Sequence, residues 1–113
     1  MEAAPLAPRL AALPRVRLAD RDVAVAVGPR ARLLGLALLP VERAGAGLLI
    51  PRCASVHTFG MRFALDVVFL DDAGRVLDRH LAVPPRRLLC HRRARAVLEI
   101  PAAVGGEFAP PGP

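Results

Sequence analysis

The strongest hydrophobic pattern in the chain is "FALDVVFLDDAGRVLDRHLAV", Phe63 to Val83. Side chains alternate along a strand, so Leu65, Val67 and Phe69 share one face and Asp66, Val68 and Leu70 the other. "DDAG" supplies the turn, with Gly74 placed for a left-handed backbone, and a hairpin is predicted. Pro84 and Pro85 end it. Upstream, "RVRLADRDVAVAV" predicts a second hairpin. There Val16 and Leu18 alternate with arginine, Val23, Val25 and Val27 alternate with alanine, and "ADRD" turns the chain.

Between the hairpins the period changes. In "GPRARLLGLALLP", Gly28 can cap a helix, Pro29 suits its first position and Pro40 stops it. Leu34 and Leu38, four apart, give that helix one apolar face. Gly35 inside it costs about 1 kcal/mol against alanine, for which close backbone packing is the usual compensation. Short apolar runs at Leu48–Ile50, in "ASVHTF" and in "ARAVLEI" predict further strands. About six short strands and one short helix make a mainly β (α+β) domain. The expected architecture is a small antiparallel β-barrel or sandwich with the helix plugging one end. Residues 1–14 read as a flexible N-terminal arm, 15–103 as a single domain, and 104–113 as a Pro/Gly-rich tail.

Composition changes this picture little. At 113 residues one domain is expected, burying roughly two thirds of its unfolded surface. No stretch free of Arg, Asp and Glu exceeds the nine residues of "LLGLALLPV". A membrane span needs about 20, so none is predicted. The N-terminus lacks signal-peptide shape, because Arg9 and Arg15 interrupt its apolar run. The chain therefore reads as cytoplasmic. The net charge is +6 and all sixteen basic residues are arginine. Asn, Gln, Trp and Tyr are absent, while Ala, Arg, Gly, Pro, Leu and Val dominate. A GC-rich coding bias accounts for this, which weakens the step from basic charge to nucleic acid.

Three groupings could carry chemistry. The first is "HTFGMRFALD". An inward Asp66 needs donors, from an arginine, a histidine or backbone N–H groups; Arg32, Arg62, His57 and Thr58 are the expected suppliers. Its plain role is to tie the preceding loop to the strand. Its functional role is a polar anchor in a cleft, with His57 as acid or base. Arg32, His57, Thr58, Met61 and Asp66 are thus the candidate binding residues, with Met61 read first as core packing.

The second grouping is Cys53, His57, Cys90 and His91, two thiols and two imidazoles that would complete a tetrahedral zinc shell. Their spacing matches no common zinc module. Free thiols are the default in a reducing cytoplasm, so no cofactor is predicted and zinc stays the alternative. The third is Arg86, Arg87, Arg92, Arg93 and Arg95, a basic stretch able to hold phosphates. The four Phe lie outside it, so stacking partners for single strands are missing there. A solvated charged face is the plainer account, and nucleic acid is disfavoured as a partner. No glycine-rich phosphate loop follows a strand, and no motif supports Ser55 as a nucleophile.

The series "RLLGL", "GAGLLIP", "HTFGMRFALDVVFLDDAGRVL", "PP" and "AVLEIPA" resembles the domain of unknown function 192 family, over roughly Val16 to Ala102. The resemblance implies a compact, mostly β single domain of bacteria and archaea, with no established activity. The family pattern falls here on Arg32, Gly35, Leu36, Gly47, Leu48, His57, Thr58, Met61, Asp66, Phe69, Gly74, Leu98 and Glu99. After "LE" members commonly add a glycine, a short helix and a closing strand. This chain has "IPAAVGGEFAPPGP" instead, so one sheet edge is expected to be open or covered by the tail. The sequence favours a non-enzymatic domain, monomeric or weakly dimeric. It would bind a small ligand or partner protein beside His57, Thr58 and Asp66. A metal- or redox-active protein and an RNA- or phosphate-binding module are the alternatives.

Overall fold

The computed structural model describes residues 5–18 and 20–102 of the chain. Residues 1–4 and the expected tail at 104–113 lie outside them. Over its described part the segment expected to be a loose arm is docked. Helix α1 (Pro8–Ala11) buries Leu10, and Ala7 is buried just before it. Arg9 fastens it by donating to the carbonyl oxygens of Gly35, at 3.1 Å, and of Ala37. Two buried side chains three apart are too short a pattern to announce a helix.

The first hairpin forms as predicted, with β1 (Arg15–Leu18) antiparallel to β2 (Arg21–Val25). Helix α2 (Pro29–Leu34) starts at Pro29 behind Gly28, as expected, but stops at Gly35 rather than Pro40. Gly35 has φ +54° and ψ −127°, a backbone conformation that essentially only glycine adopts. The core face is displaced accordingly. Leu36, Ala37 and Leu39 are buried, whereas Leu38 is 61% exposed.

A 3-10 turn at Val41–Arg43 leads into β3 (Leu48–Pro51). Then come β4 (Ser55–His57), β5 (Leu65–Leu70), β6 (Val76–Val83), β7 (Leu88–Cys90) and β8 (Ala96–Pro101). Eight strands are present among the described residues where about six were expected, β7 being the clearest omission. They form an open six-stranded sheet, β1-β2-β3-β8-β5-β6, and a two-stranded sheet, β4-β7. The arrangement is sandwich-like, not a closed barrel. Pairing is antiparallel except between β2 and β3, which run parallel across the α2 connection. β8 is central, between β3 and β5, so the edges among the described residues are β1 and β6.

All six residues of β5 are buried, and its faces divide as the alternation requires. Leu65, Val67 and Phe69 join the main core with Leu10, Leu36, Ile50, Val56 and Val97. Val68 and Leu70 join a smaller cluster with Val23, Leu98 and Ile100. The β5-β6 turn closes on Asp71, whose Oδ1 accepts from the N–H groups of Ala73 (2.9 Å) and Arg75 (2.8 Å). Gly74 has φ +80° there.

Candidate functional site

Asp66 turns inward, only 5% exposed, but none of the four expected suppliers reaches it. Leu65 pairs with Val83 and Val67 with His80. Asp66 therefore faces two residues, Leu81 and Ala82, and β6 bulges there. Asp66 Oδ1 accepts from the Ala82 N–H at 2.8 Å. Ala82 sits at φ +51°, so the carboxylate satisfies a donor that the bulge takes out of the ladder. This is a structural duty, and it ties the strand to its successor rather than to the preceding loop.

Thr58 is likewise fully committed. Completely buried, its hydroxyl donates to Pro84 O (2.7 Å) and accepts from the Arg87 N–H (2.8 Å). Its own N–H donates to Arg87 O, and its carbonyl accepts from the N–H groups of Arg86 and Met61. Thr58 pins the 84–87 turn. Met61 packs into the main core. The cleft expected beside His57, Thr58 and Asp66 therefore does not assemble around those three side chains.

His57 and Arg32 face a different place. A cavity of about 180 Å³ lies between the C-terminal turn of α2 and strands β3, β4 and β8; Arg32, Leu33, Gly35, Ile50, His57 and Glu99 are among its lining residues. Arg32 closes one side, its guanidinium donating to Pro51 O and, at 2.9 Å, to Arg52 O. His57 Nε2 lies 3.2 Å from Leu33 O. A carbonyl oxygen only accepts, so Nε2 carries the proton. That leaves Nδ1, which is buried without a partner. The ring also packs against Phe59, centroids 5.9 Å apart.

Glu99 was not among the candidate binding residues. It is 3% exposed, and its Oε1 is the other buried side-chain polar atom without a partner among the described residues. Burial pushes its carboxyl up from 4.5 to about 7, partly offset by the Leu36 backbone N–H. The neighbouring Gly35 has no side chain to cover that oxygen; a Cβ there would lie 2.7 Å from Oε1. One signal in the sequence could have found Glu99. In "AVLEIP" it is a lone carboxylate in an apolar strand, the same pattern that singled out Asp66.

The remaining candidates stand apart. Cys53 Sγ donates to Ser55 O and lines an open, mostly apolar groove of about 650 Å³ with Leu18, Leu49 and Leu70. Cys90 and His91 line another groove with Ala54 and Arg92. Both cysteines are free. Among the described residues no three or more His, Cys, Asp or Glu side chains gather to hold a metal ion, so Cys53, His57, Cys90 and His91 do not form the zinc shell held as the alternative. Arg86 and Arg87 precede β7, and Arg92, Arg93 and Arg95 follow it, all exposed. No helix among the described residues is long and apolar enough to cross a membrane.

The fold and site together define a small, open, sandwich-like β domain with a single-histidine cavity beneath a short helix. The chain belongs to the domain of unknown function 192 family, described as uncharacterised ACR, whose model matches residues 14–108. Two solved structures share the fold. One is a protein of unknown function from Novosphingobium aromaticivorans, with TM-score 0.62 and 20% identity over 78% of this chain and 68% of that one. The other, from Sinorhizobium meliloti, is named as a candidate transcription regulator. It has TM-score 0.60 and 20% identity over 85% of both chains. No curated protein matches.

Proposed function

We propose that the chain is a small, non-enzymatic ligand-binding domain whose site is the cavity between α2 and β8, headed by His57 and Glu99. One observation carries this. The two buried side-chain polar atoms without a partner among the described residues, His57 Nδ1 and Glu99 Oε1, belong to residues that line the same cavity. A buried polar atom left without a partner costs about 1–3 kcal/mol. Two such atoms around one space point to an occupant that completes them. The space holds several waters or a small organic group. It is smaller than the roughly 300–1,000 Å³ of pockets that enclose drug-sized molecules, so it takes a headgroup or a fragment.

The larger groove beside Cys53 offers no comparable polar atoms and is the weaker candidate. Ser55 also lines the cavity, but His57 does not activate it: Nε2 is held by Leu33 O and Nδ1 has no partner. That supports binding over catalysis. Two free cysteines suit a reducing, cytoplasmic setting. A fragment screen followed on the His57 ring resonances tests the proposal. Saturable shifts at His57 and at the Leu36 amide are expected. A screen that moves neither, with ordered water bonded to both atoms in a high-resolution crystal structure, would overturn it.

A further inference from the structure

We propose that the group seated in this cavity is a protonated amine or guanidine, donating one N–H to His57 Nδ1 and another to Glu99 Oε1. The inference rests on the cavity being the binding site and adds the chemistry of what it binds. With the His57 proton fixed on Nε2 by Leu33 O, Nδ1 of the neutral ring is a bare lone pair. Glu99 receives the Leu36 N–H from one side, while its Oε1 meets no donor. The cavity is therefore lined by two residues that each hold an acceptor without a donor, and its complement is a donor-rich group.

Charge decides between a neutral donor and a cation. The charged or titratable side chains lining the cavity are Arg32, His57 and Glu99. Arg32 does not neutralise Glu99, since its guanidinium turns to the carbonyl oxygens of Pro51 and Arg52. Burial accordingly dominates the carboxyl and holds it near neutrality. A bound cation supplies the missing counter-charge, with charge-assisted hydrogen bonds stronger than those of a neutral amide. The walls suit a short aliphatic stem, because Leu33, Leu34, Ile50 and Val56 supply the apolar contacts. Gly35 keeps the approach to Oε1 clear.

Binding then requires an ionised Glu99, whose carboxyl burial pushes up to about 7, so affinity rises with pH through neutrality. The experiment is an NMR titration of the isotope-labelled full chain with methylguanidinium, butylammonium, N-methylurea and Zn²⁺ at pH 5.5 and 8. Saturable shifts of the His57 ring and Leu36 amide are expected with the two organic cations. Affinity should be at least about tenfold tighter at pH 8, one decade per pH unit being the limit for a single ionisation. N-methylurea, the neutral counterpart, should bind at least about tenfold more weakly, as expected for losing a charge-assisted bond. Both Glu99→Gln and His57→Phe should abolish the cation response, the spectrum itself reporting that each variant is folded. Equal binding of N-methylurea, or cation binding that survives Glu99→Gln unchanged at both pH values, would overturn the ligand class while leaving the cavity as the site. Tighter saturation by Zn²⁺ at His57 would overturn it in favour of a metal. Silence from all four probes would overturn the ligand class, and the fragment screen would then decide whether the cavity is a site at all.

Discussion

Replacing Glu99 by glutamine should make the protein more stable in alkaline solution and leave it nearly unchanged in acid. The side chain is 3% exposed, so solvent screens little of its charge. Its carboxyl releases a proton at about 7 in the folded chain, against 4.5 ordinarily. Between those values the native state holds a proton that the unfolded state has already lost. Stability therefore falls as pH rises through this window, and the loss is complete once pH passes the folded value. At about 1.4 kcal/mol per pH unit, the span from 4.5 to about 7 is worth on the order of 3 kcal/mol. Glutamine keeps the shape and the acceptor for the Leu36 N–H but cannot ionise. Urea unfolding followed by circular dichroism at pH 4.5, 6 and 8 measures the effect. The midpoints of the two proteins should coincide in acid and separate by on the order of 1–3 M urea at pH 8, the variant being the more stable, given slopes of about 1–3 kcal/mol/M. Other carboxylates titrate in both proteins and cancel in the difference. Parallel profiles would refute the reasoning. So would a wild type that gains on the variant as pH rises, since that would mean Glu99 is ionised and already paired.

Substitutions at two further positions separate structural from binding roles. Thr58→Val leaves Pro84 O and the Arg87 N–H without their partner; at about 0.5–1.5 kcal/mol for each hydrogen bond, a loss of about 1–3 kcal/mol is expected in equilibrium unfolding, with no change in ligand response among the molecules that stay folded. Asp66→Ala exposes the unpaired Ala82 N–H and should cost about 1–3 kcal/mol, with faster hydrogen exchange at that amide. Asp66→Asn retains an acceptor and should be milder than alanine in both measurements.

The parts of this fold that were legible in the sequence are those set by short-range alternation. The β5-β6 hairpin could be read because the faces of Leu65–Leu70 follow from a period of two and its turn from Asp71 and Gly74. Inward Asp66 could be read for the same reason. Its partner could not, because Ala82 is offered only by a bulge, and a bulge is a property of the register between two strands. The helix failed at Gly35 on similar grounds. Apolar spacing through Leu34 and Leu38 suggested continuation to Pro40, whereas the backbone at Gly35 reverses to φ +54° against a carboxylate 64 positions further along the chain. Nothing local announces that contact.

Glu99 shows where the same reasoning could have gone further. Asp66 and Glu99 occupy equivalent settings by sequence, each a single carboxylate in a strand buried on both faces. Alternation puts Asp66 with Val68 and Leu70 beside the smaller cluster, and Glu99 with Val97 on the side of the main core. The difference lies in what each meets. Asp66 finds a backbone donor freed by the bulge, and its cost is offset within the fold. Glu99 meets the open backbone of Gly35 and shares its cavity with a histidine whose Nε2 proton is committed to Leu33. A buried acid left without a donor on one oxygen, lining the same cavity as an imidazole nitrogen in the same condition, carries a cost that its bond from the Leu36 N–H offsets only in part. That places the proposed site in the cavity shared by His57 and Glu99, rather than in a cleft joining His57 to Thr58 and Asp66.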